Sequence, residues 1–213
     1  MHKEIFGNFK KEIYFRNKNK NKNYELLNRR FYKKLTSLKD EKAEDCINIL
    51  NFLKSNHKSK NEVKQMFHPL RVSFYTLSIS KSKNRITACK LALIHNILEK
   101  KGRYTKLKDL AGNKIYNQAK VLKVNRKKQW NKKYIDNYYK KLNKSHKNVK
   151  IVKCLDKLDN LFSLYKNPSK KIKNLYLDEI RKYVLPIVKK NITPVYKYYI
   201  KLVDYNIKLL KSN

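Results

Sequence analysis

The chain has 213 residues, enough for one domain with a sizeable core, and its 54 Lys and Arg against 16 Asp and Glu give a formal net charge of +38. A hydrophobic fraction of 41% with 12% aromatic residues excludes a disordered basic tail, and three Gly with four Pro exclude collagen-like, glycine-rich and hairpin-rich designs. Charge of this size exceeds what solubility needs and opposes compaction by self-repulsion, so a polyanionic partner is expected.

Residues 1–34 read as a basic arm and residues 35–213 as the folded domain. The first residues, Met1-His2-Lys3-Glu4-Ile5-Phe6, show neither an apolar signal core nor an acid-poor presequence. From Arg16 to Lys34 eight Lys and Arg face one acid, Glu25, around the repeat Asn17-Lys18-Asn19-Lys20-Asn21-Lys22-Asn23. Such a run cannot bury apolar surface and is expected to be solvated unless a nucleic acid orders it. Arg16, Lys18, Lys20, Lys22, Arg29 and Arg30 are its candidate RNA contacts.

Beyond the arm the apolar period is helical almost throughout. Ala43, Cys46, Ile47, Leu50 and Leu53 recur at helical spacing, as do Leu70, Phe74 and Leu77, then Ile86, Cys89, Leu93 and Ile97. Leu155, Leu158 and Phe162 form a further stripe, followed by Leu177, Ile180, Val184 and Ile187, then Tyr199, Leu202, Tyr205 and Leu209. Polar or Gly/Pro-containing stretches near 55–60, 80–84, 101–103, 167–169 and 191–194 separate them. With no strand-like alternation and no internal repeat, the fold class is all-α, a bundle of roughly seven to nine helices. No apolar run approaches a membrane span.

Residues 120–150 stand apart, with twelve Lys and Arg, one acid (Asp136), and Trp130, Tyr134, Tyr138 and Tyr139 interleaved. Either these aromatics offer stacking faces beside phosphate contacts, or Tyr134 and Tyr138 turn inward and the lysines form a solvated face. Arg126, Lys127, Lys128, Lys132 and Lys133 are the candidate RNA contacts here. AT-rich coding explains the abundant Lys and Asn better than the scarcity of acids, so the charge is read as partly selected. Cys46, Cys89 and Cys154 lack metal-ligand spacing and read as buried reduced thiols.

One constellation carries chemistry. His68 precedes Pro69, and proline belongs in a first helical turn, so His68 sits at a helix start. His95 and Asn96 interrupt an apolar helix and must face a partner or a site. Asp156 and Asn160 are four apart and share a helical face. Two imidazoles and a carboxylate are a donor set for a divalent transition metal.

The order of these elements resembles the HD superfamily of metal-dependent phosphohydrolases, in particular its (p)ppGpp-hydrolase type, as in the RelA/SpoT family and its small stand-alone relatives. The resemblance spans about Lys60 to Asn191. It rests on His68-Pro69-Leu70-Arg71-Val72, on Leu93-Ile94-His95-Asn96-Ile97-Leu98-Glu99, and on Val152 through Leu161 with Asp156, Asp159 and Asn160. Trp130-Asn131-Lys132-Lys133-Tyr134-Ile135 and Tyr176 through Pro186 are softer matches. It implies an HD-like helical bundle and a Mn-like metal held by His68, His95 and Asp156. It also implies a water-orienting Glu99, and Asn160 near a nucleotide that loses pyrophosphate. The chain departs from the family pattern at Asn96, where a metal-binding aspartate belongs, and at Lys100, which replaces an acid.

From these departures and the charge, the expected function is a catalytically degenerate HD-type domain with a vestigial metal site and no working cofactor. It would act as an RNA-binding structural component of a ribonucleoprotein. A mitochondrial or other organellar ribosome, with rRNA and neighbouring subunits as partners and no membrane contact, is the assembly expected first. The alternative is a working Mn-dependent phosphohydrolase of a small-molecule nucleotide such as (p)ppGpp, in the cytoplasm.

Overall fold

A computed structural model describes residues 11–13, 16, 20–56, 66–79, 84–99 and 105–211. Every described element is helical, and no strand occurs among the described residues. In chain order the α-helices are α1 (Lys20–Thr36), α2 (Ala43–Ser55), α3 (Phe67–Ile79), α4 (Arg85–Ile94), α5 (Thr105–Ala111) and α6 (Asn113–Leu122). They continue with α7 (Lys132–Lys144), α8 (Lys147–Leu161), α9 (Lys170–Glu179), α10 (Leu185–Asn191) and α11 (Thr193–Lys211). Short 3₁₀ turns at Ile97–Glu99 and Leu164–Lys166 follow α4 and α8.

The helix α8 is the axis of the molecule. It buries twelve of its fifteen residues and packs against α3, α4, α6, α7, α10 and α11. It sits at the centre although eight of its fifteen residues are Lys, Asn or Asp. Five of these are buried with it, Asn148, Lys153, Asp156, Lys157 and Asp159, and the four charged ones must find partners there. The helices α3 and α4 make the most extensive pairing in the fold, with Ala88, Cys89 and Ala92 of α4 fully buried and allowing close approach.

Three sequence expectations need correction. The proposed division after residue 34 falls inside α1, because Phe31 and Leu35, one helical turn apart, are fully buried in the common core. Lys20 to Asn23, half of the Asn/Lys repeat, begin that helix. Eleven α-helices are present among the described residues, more than expected. Part of the excess comes from α5 and α6, which Gly112 separates. The stripe from Leu177 to Ile187 runs through a π-helical stretch, Ile180–Val184, between α9 and α10. Pro186 accounts for it: proline has no N–H to give and crowds the carbonyl four residues back, and widening the preceding turn relieves both.

Gly112 adopts φ 83°, ψ 148°, a region essentially closed to residues with a Cβ. A Cβ there would meet nothing within 4 Å, so the cost of Gly112→Ala is purely conformational. It is expected to lower folding stability by about 1–3 kcal/mol, read as a shifted urea midpoint at unchanged slope. The three cysteines are free and buried. No described helix is long and apolar enough to cross a membrane.

Candidate metal centre

Three side chains from distant parts of the chain converge where α3, α4 and α8 meet. His68 is the second residue of α3, His95 follows the last residue of α4, and Asp156 lies on α8. His68 Nε2 is 3.1 Å from His95 Nε2 and 3.1 Å from Asp156 Oδ1, and His95 Nε2 is 3.8 Å from the same oxygen. Ligands about 2.1 Å from one ion, at right or tetrahedral angles, stand roughly 3.0–3.4 Å apart.

The outer ring nitrogens decide what these inner atoms are. His95 Nδ1 lies 2.6 Å from the Ala92 carbonyl, which can only accept, so this nitrogen carries the proton. His68 Nδ1 lies 2.7 Å from Asp159 Oδ2 and donates to it in the same way. With both Nδ1 atoms protonated, the two neutral rings direct Nε2 lone pairs at each other and at a carboxylate oxygen. Three acceptors meeting without a hydrogen between them need a cation or an added proton. This donor set fits a divalent transition metal, each imidazole being oriented by a second partner.

The carboxylates are held ionised by their surroundings. Burial alone would raise the Asp156 carboxyl, but the Lys153 ammonium 2.9 Å from Oδ2 holds it well below the usual range. Asn160 Nδ2 donates to its Oδ1 at 2.9 Å. Burial would likewise raise Asp159, and the Arg16 and Arg71 guanidiniums outweigh it, so this carboxyl too lies well below its ordinary value. Burial would lower His68, but hydrogen bonds to Asp156 and Asp159 turn the shift upward. A second buried pair, Lys157 with Glu179 at 2.8 Å, stands nearby, and Tyr139 donates to the other Glu179 oxygen at 2.7 Å.

The triad opens onto a cavity of about 330 Å³ lined in part by His68, Asn96, Arg126, Lys153, Asp156, Lys157, Asn160 and Tyr176. A wider depression of about 650 Å³ shares Gln129, Trp130, Ile135 and Glu179 with it. The cations of the first cavity, Arg126, Lys153 and Lys157, are each ion-paired, with Glu99, Asp156 and Glu179, and the last two acids also line it, so the cavity is of mixed charge.

The sequence-predicted residues divide clearly. His68, His95, Asp156 and Asn160 come together, and Asn96 lines the same cavity. Glu99 does not join them. Its Oε1 accepts from the Val124 N–H at 3.1 Å, and Oε2 is 2.6 Å from an Arg126 nitrogen, so its carboxylate is committed to holding the segment before α7. Arg126, expected to contact RNA, makes that ion pair while lining the cavity. Arg16, placed in the solvated arm, instead points inward, its side chain only 11% exposed and bound to Asp159. Arg29, Arg30, Lys127, Lys128, Lys132 and Lys133 are exposed. Lys18 and Lys100, and the side chains of Lys20 and Lys22, lie outside the described residues.

Of the aromatics at 120–150, the tyrosines pack on the protein, while Trp130 is half-buried and lines both cavities. Tyr138 and Tyr139 are buried, the Tyr134 hydroxyl accepts from the Asn125 N–H at 2.7 Å, and Tyr139 stacks on Tyr183. Sequence reasoning passed over Asp159 as a functional residue. Its signal was available: in a chain with 16 acids, Asp156 and Asp159 are three apart on one helix.

No protein-family model matches the chain, and no curated protein matches its sequence.

Proposed function

We propose that the chain is a metal-dependent phosphohydrolase of the HD type, acting on a phosphorylated nucleotide of the (p)ppGpp kind. The observation that carries this reading is the meeting of His68 Nε2, His95 Nε2 and Asp156 Oδ1, with both outer nitrogens already occupied as donors. Each imidazole spends its Nδ1–H on a second acceptor, Asp159 or the Ala92 carbonyl, which turns Nε2 toward the place an ion would take. The reading therefore favours a working centre over a purely structural RNA-bound role.

A bound divalent cation would supply Lewis acidity to a phosphoryl oxygen and lower the pKa of water. The chain's own residues supply the rest. Arg126, Lys153 and Lys157, each paired with a carboxylate, are the cations that phosphate oxygens would approach in the cavity. Asn160 and Lys153 fix the Asp156 carboxylate between them. In hydrolysis the water oxygen bonds to phosphorus, the P–O bond to the ribose breaks, and the ribose oxygen takes up a proton. Asn96 contributes a neutral carboxamide where the family has a carboxylate, which lowers the charge of the donor set and weakens its hold on the ion.

The experiment is Mn²⁺ binding together with pyrophosphate release from (p)ppGpp. Binding and release are expected from the natural chain, with Mn²⁺ held at least about tenfold more tightly after Asn96→Asp, because the donor set gains a charge. A chain that neither binds Mn²⁺ nor gains binding from that substitution is not this enzyme. Co-sedimentation with ribosomes that survives moderate salt would then support the RNA-bound role, through the exposed Lys127, Lys128, Lys132 and Lys133.

A further inference from the structure

We propose that Arg16 is a positioning residue of this centre, acting through Asp159 to fix the His68 ring. The inference rests on the metal-centre reading for its consequence but on hydrogen-bond geometry for its substance. Arg16 lies 143 residues before Asp159, in the segment preceding α1. Its Nη2 is 2.9 Å from Asp159 Oδ1, its Nη1 donates to the Asp159 backbone carbonyl at 3.1 Å, and Nη2 also donates to the Tyr75 hydroxyl at 2.6 Å. Nε donates to Glu12 at 2.8 Å, and the guanidinium lies 4.1 Å from the centre of the Phe162 ring.

The reason for so many contacts is visible at the acceptor. Asp159 is 1% exposed, and its two oxygens take three hydrogen bonds and one further ion-pair contact. Oδ1 accepts from Arg71 Nε at 2.8 Å and lies in ion-pair contact with Arg16 Nη2, while Oδ2 accepts from Arg71 Nη2 at 2.8 Å and from His68 Nδ1 at 2.7 Å. A carboxylate has about four lone-pair directions, and hydrogen bonds fill three of them here. Arg71 alone grips one edge of the group. Arg16 closes the remaining direction and, by holding the carbonyl of the same residue, ties side chain and backbone together. Asp159 then has one orientation, and so does the imidazole that donates to it. Outer partners of metal-bound histidines typically change metal affinity by about 10- to 100-fold.

The test compares Arg16→Met, which keeps the chain length but removes charge and donors, with Arg16→Lys in the full-length protein. Two quantities are read: the His68 Nδ1–H signal in NMR of the ¹⁵N-histidine-labelled, metal-free protein, and the Mn²⁺ dissociation constant by titration. Leu210→Ala is the control for lost stability, since Leu210 is buried on α11, which contributes nothing to the cavity wall among the described residues.

Arg16→Met is expected to broaden or abolish the His68 signal and raise the Mn²⁺ dissociation constant about tenfold. Arg16→Lys should recover part of both. Leu210→Ala should lower the melting temperature and move neither. A His68 signal unchanged in Arg16→Met, or shifted equally by Leu210→Ala, overturns the inference. If the natural chain binds no Mn²⁺, the metal reading falls while the His68 signal still decides the role of Arg16. If Arg16→Met does not fold, Arg16→Lys decides it by the same two readings.

Discussion

Replacing Asp159 with alanine is expected to cost about 3–5 kcal/mol of folding stability, the loss typical of breaking a buried charge cluster by removing one side. In a chain of this length that corresponds to a fall of roughly 10 °C in melting temperature. The carboxylate is the common partner of two guanidiniums and an imidazole, with Arg16 and Arg71 side chains only 11% and 20% exposed. After truncation Arg16 keeps Glu12 and Tyr75, but Arg71 loses both its hydrogen bonds to Asp159 and faces a cavity. Asp159→Asn retains the shape and one acceptor oxygen, so its loss should be smaller. The cause can be separated by a cycle. If unpaired cations are the origin, the Arg71→Met and Asp159→Ala changes together will cost less than the sum of the two alone. Thermal unfolding of the four proteins checks this. A loss below about 1 kcal/mol for Asp159→Ala would show that the cluster is not a stabilising unit.

Much of this centre is legible in the sequence because it lies at helix boundaries and on one helix face. Pro69 marks the start of α3 and so places His68, and the four-residue spacing of Asp156 and Asn160 becomes the hydrogen bond between them. The end of α4 is not legible. Ile97 and Leu98 continue the apolar period past His95, yet the helix stops at Ile94, and the His95 ring turns back to bond the Ala92 carbonyl. That ending is fixed by packing against α8, which periodicity does not contain.

Arg16 was misplaced for a different reason. Its neighbourhood is a Lys/Asn repeat whose composition describes solvated chain, and what draws it inward is a carboxylate 143 residues away. Glu99 shows the converse. Its match to the family pattern suggested a role near water, but the first available partners are a backbone N–H and Arg126, on the segment leading to α7. Long-range ion pairing in a chain with few acids is what local pattern reading cannot supply. Each acid attracts whichever cation the fold brings near.

Asp156→Asn is expected to weaken Mn²⁺ binding at least about 100-fold while leaving the fold in place, because it removes the only charged atom of the triad. The asparagine oxygen can still accept from Lys153 and its amide can donate to a histidine Nε2, so the hydrogen-bonded frame around residue 156 survives the change. Asp156→Ala differs in that respect. It leaves the Lys153 ammonium, only 7% exposed, without the carboxylate 2.9 Å away, and should cost about 3–5 kcal/mol in addition to the metal. The two substitutions therefore separate what the carboxylate does for folding from what its charge does for the ion. Titration with Mn²⁺ and thermal unfolding of both variants make the comparison. If Asp156→Asn binds Mn²⁺ as the natural chain does, the ion is held elsewhere and the convergence of His68, His95 and Asp156 is a hydrogen-bonded core junction. If binding is lost with the melting temperature nearly unchanged, the charge of Asp156 serves the ion, since an acid kept only for structure would be missed by the fold as much as by the metal.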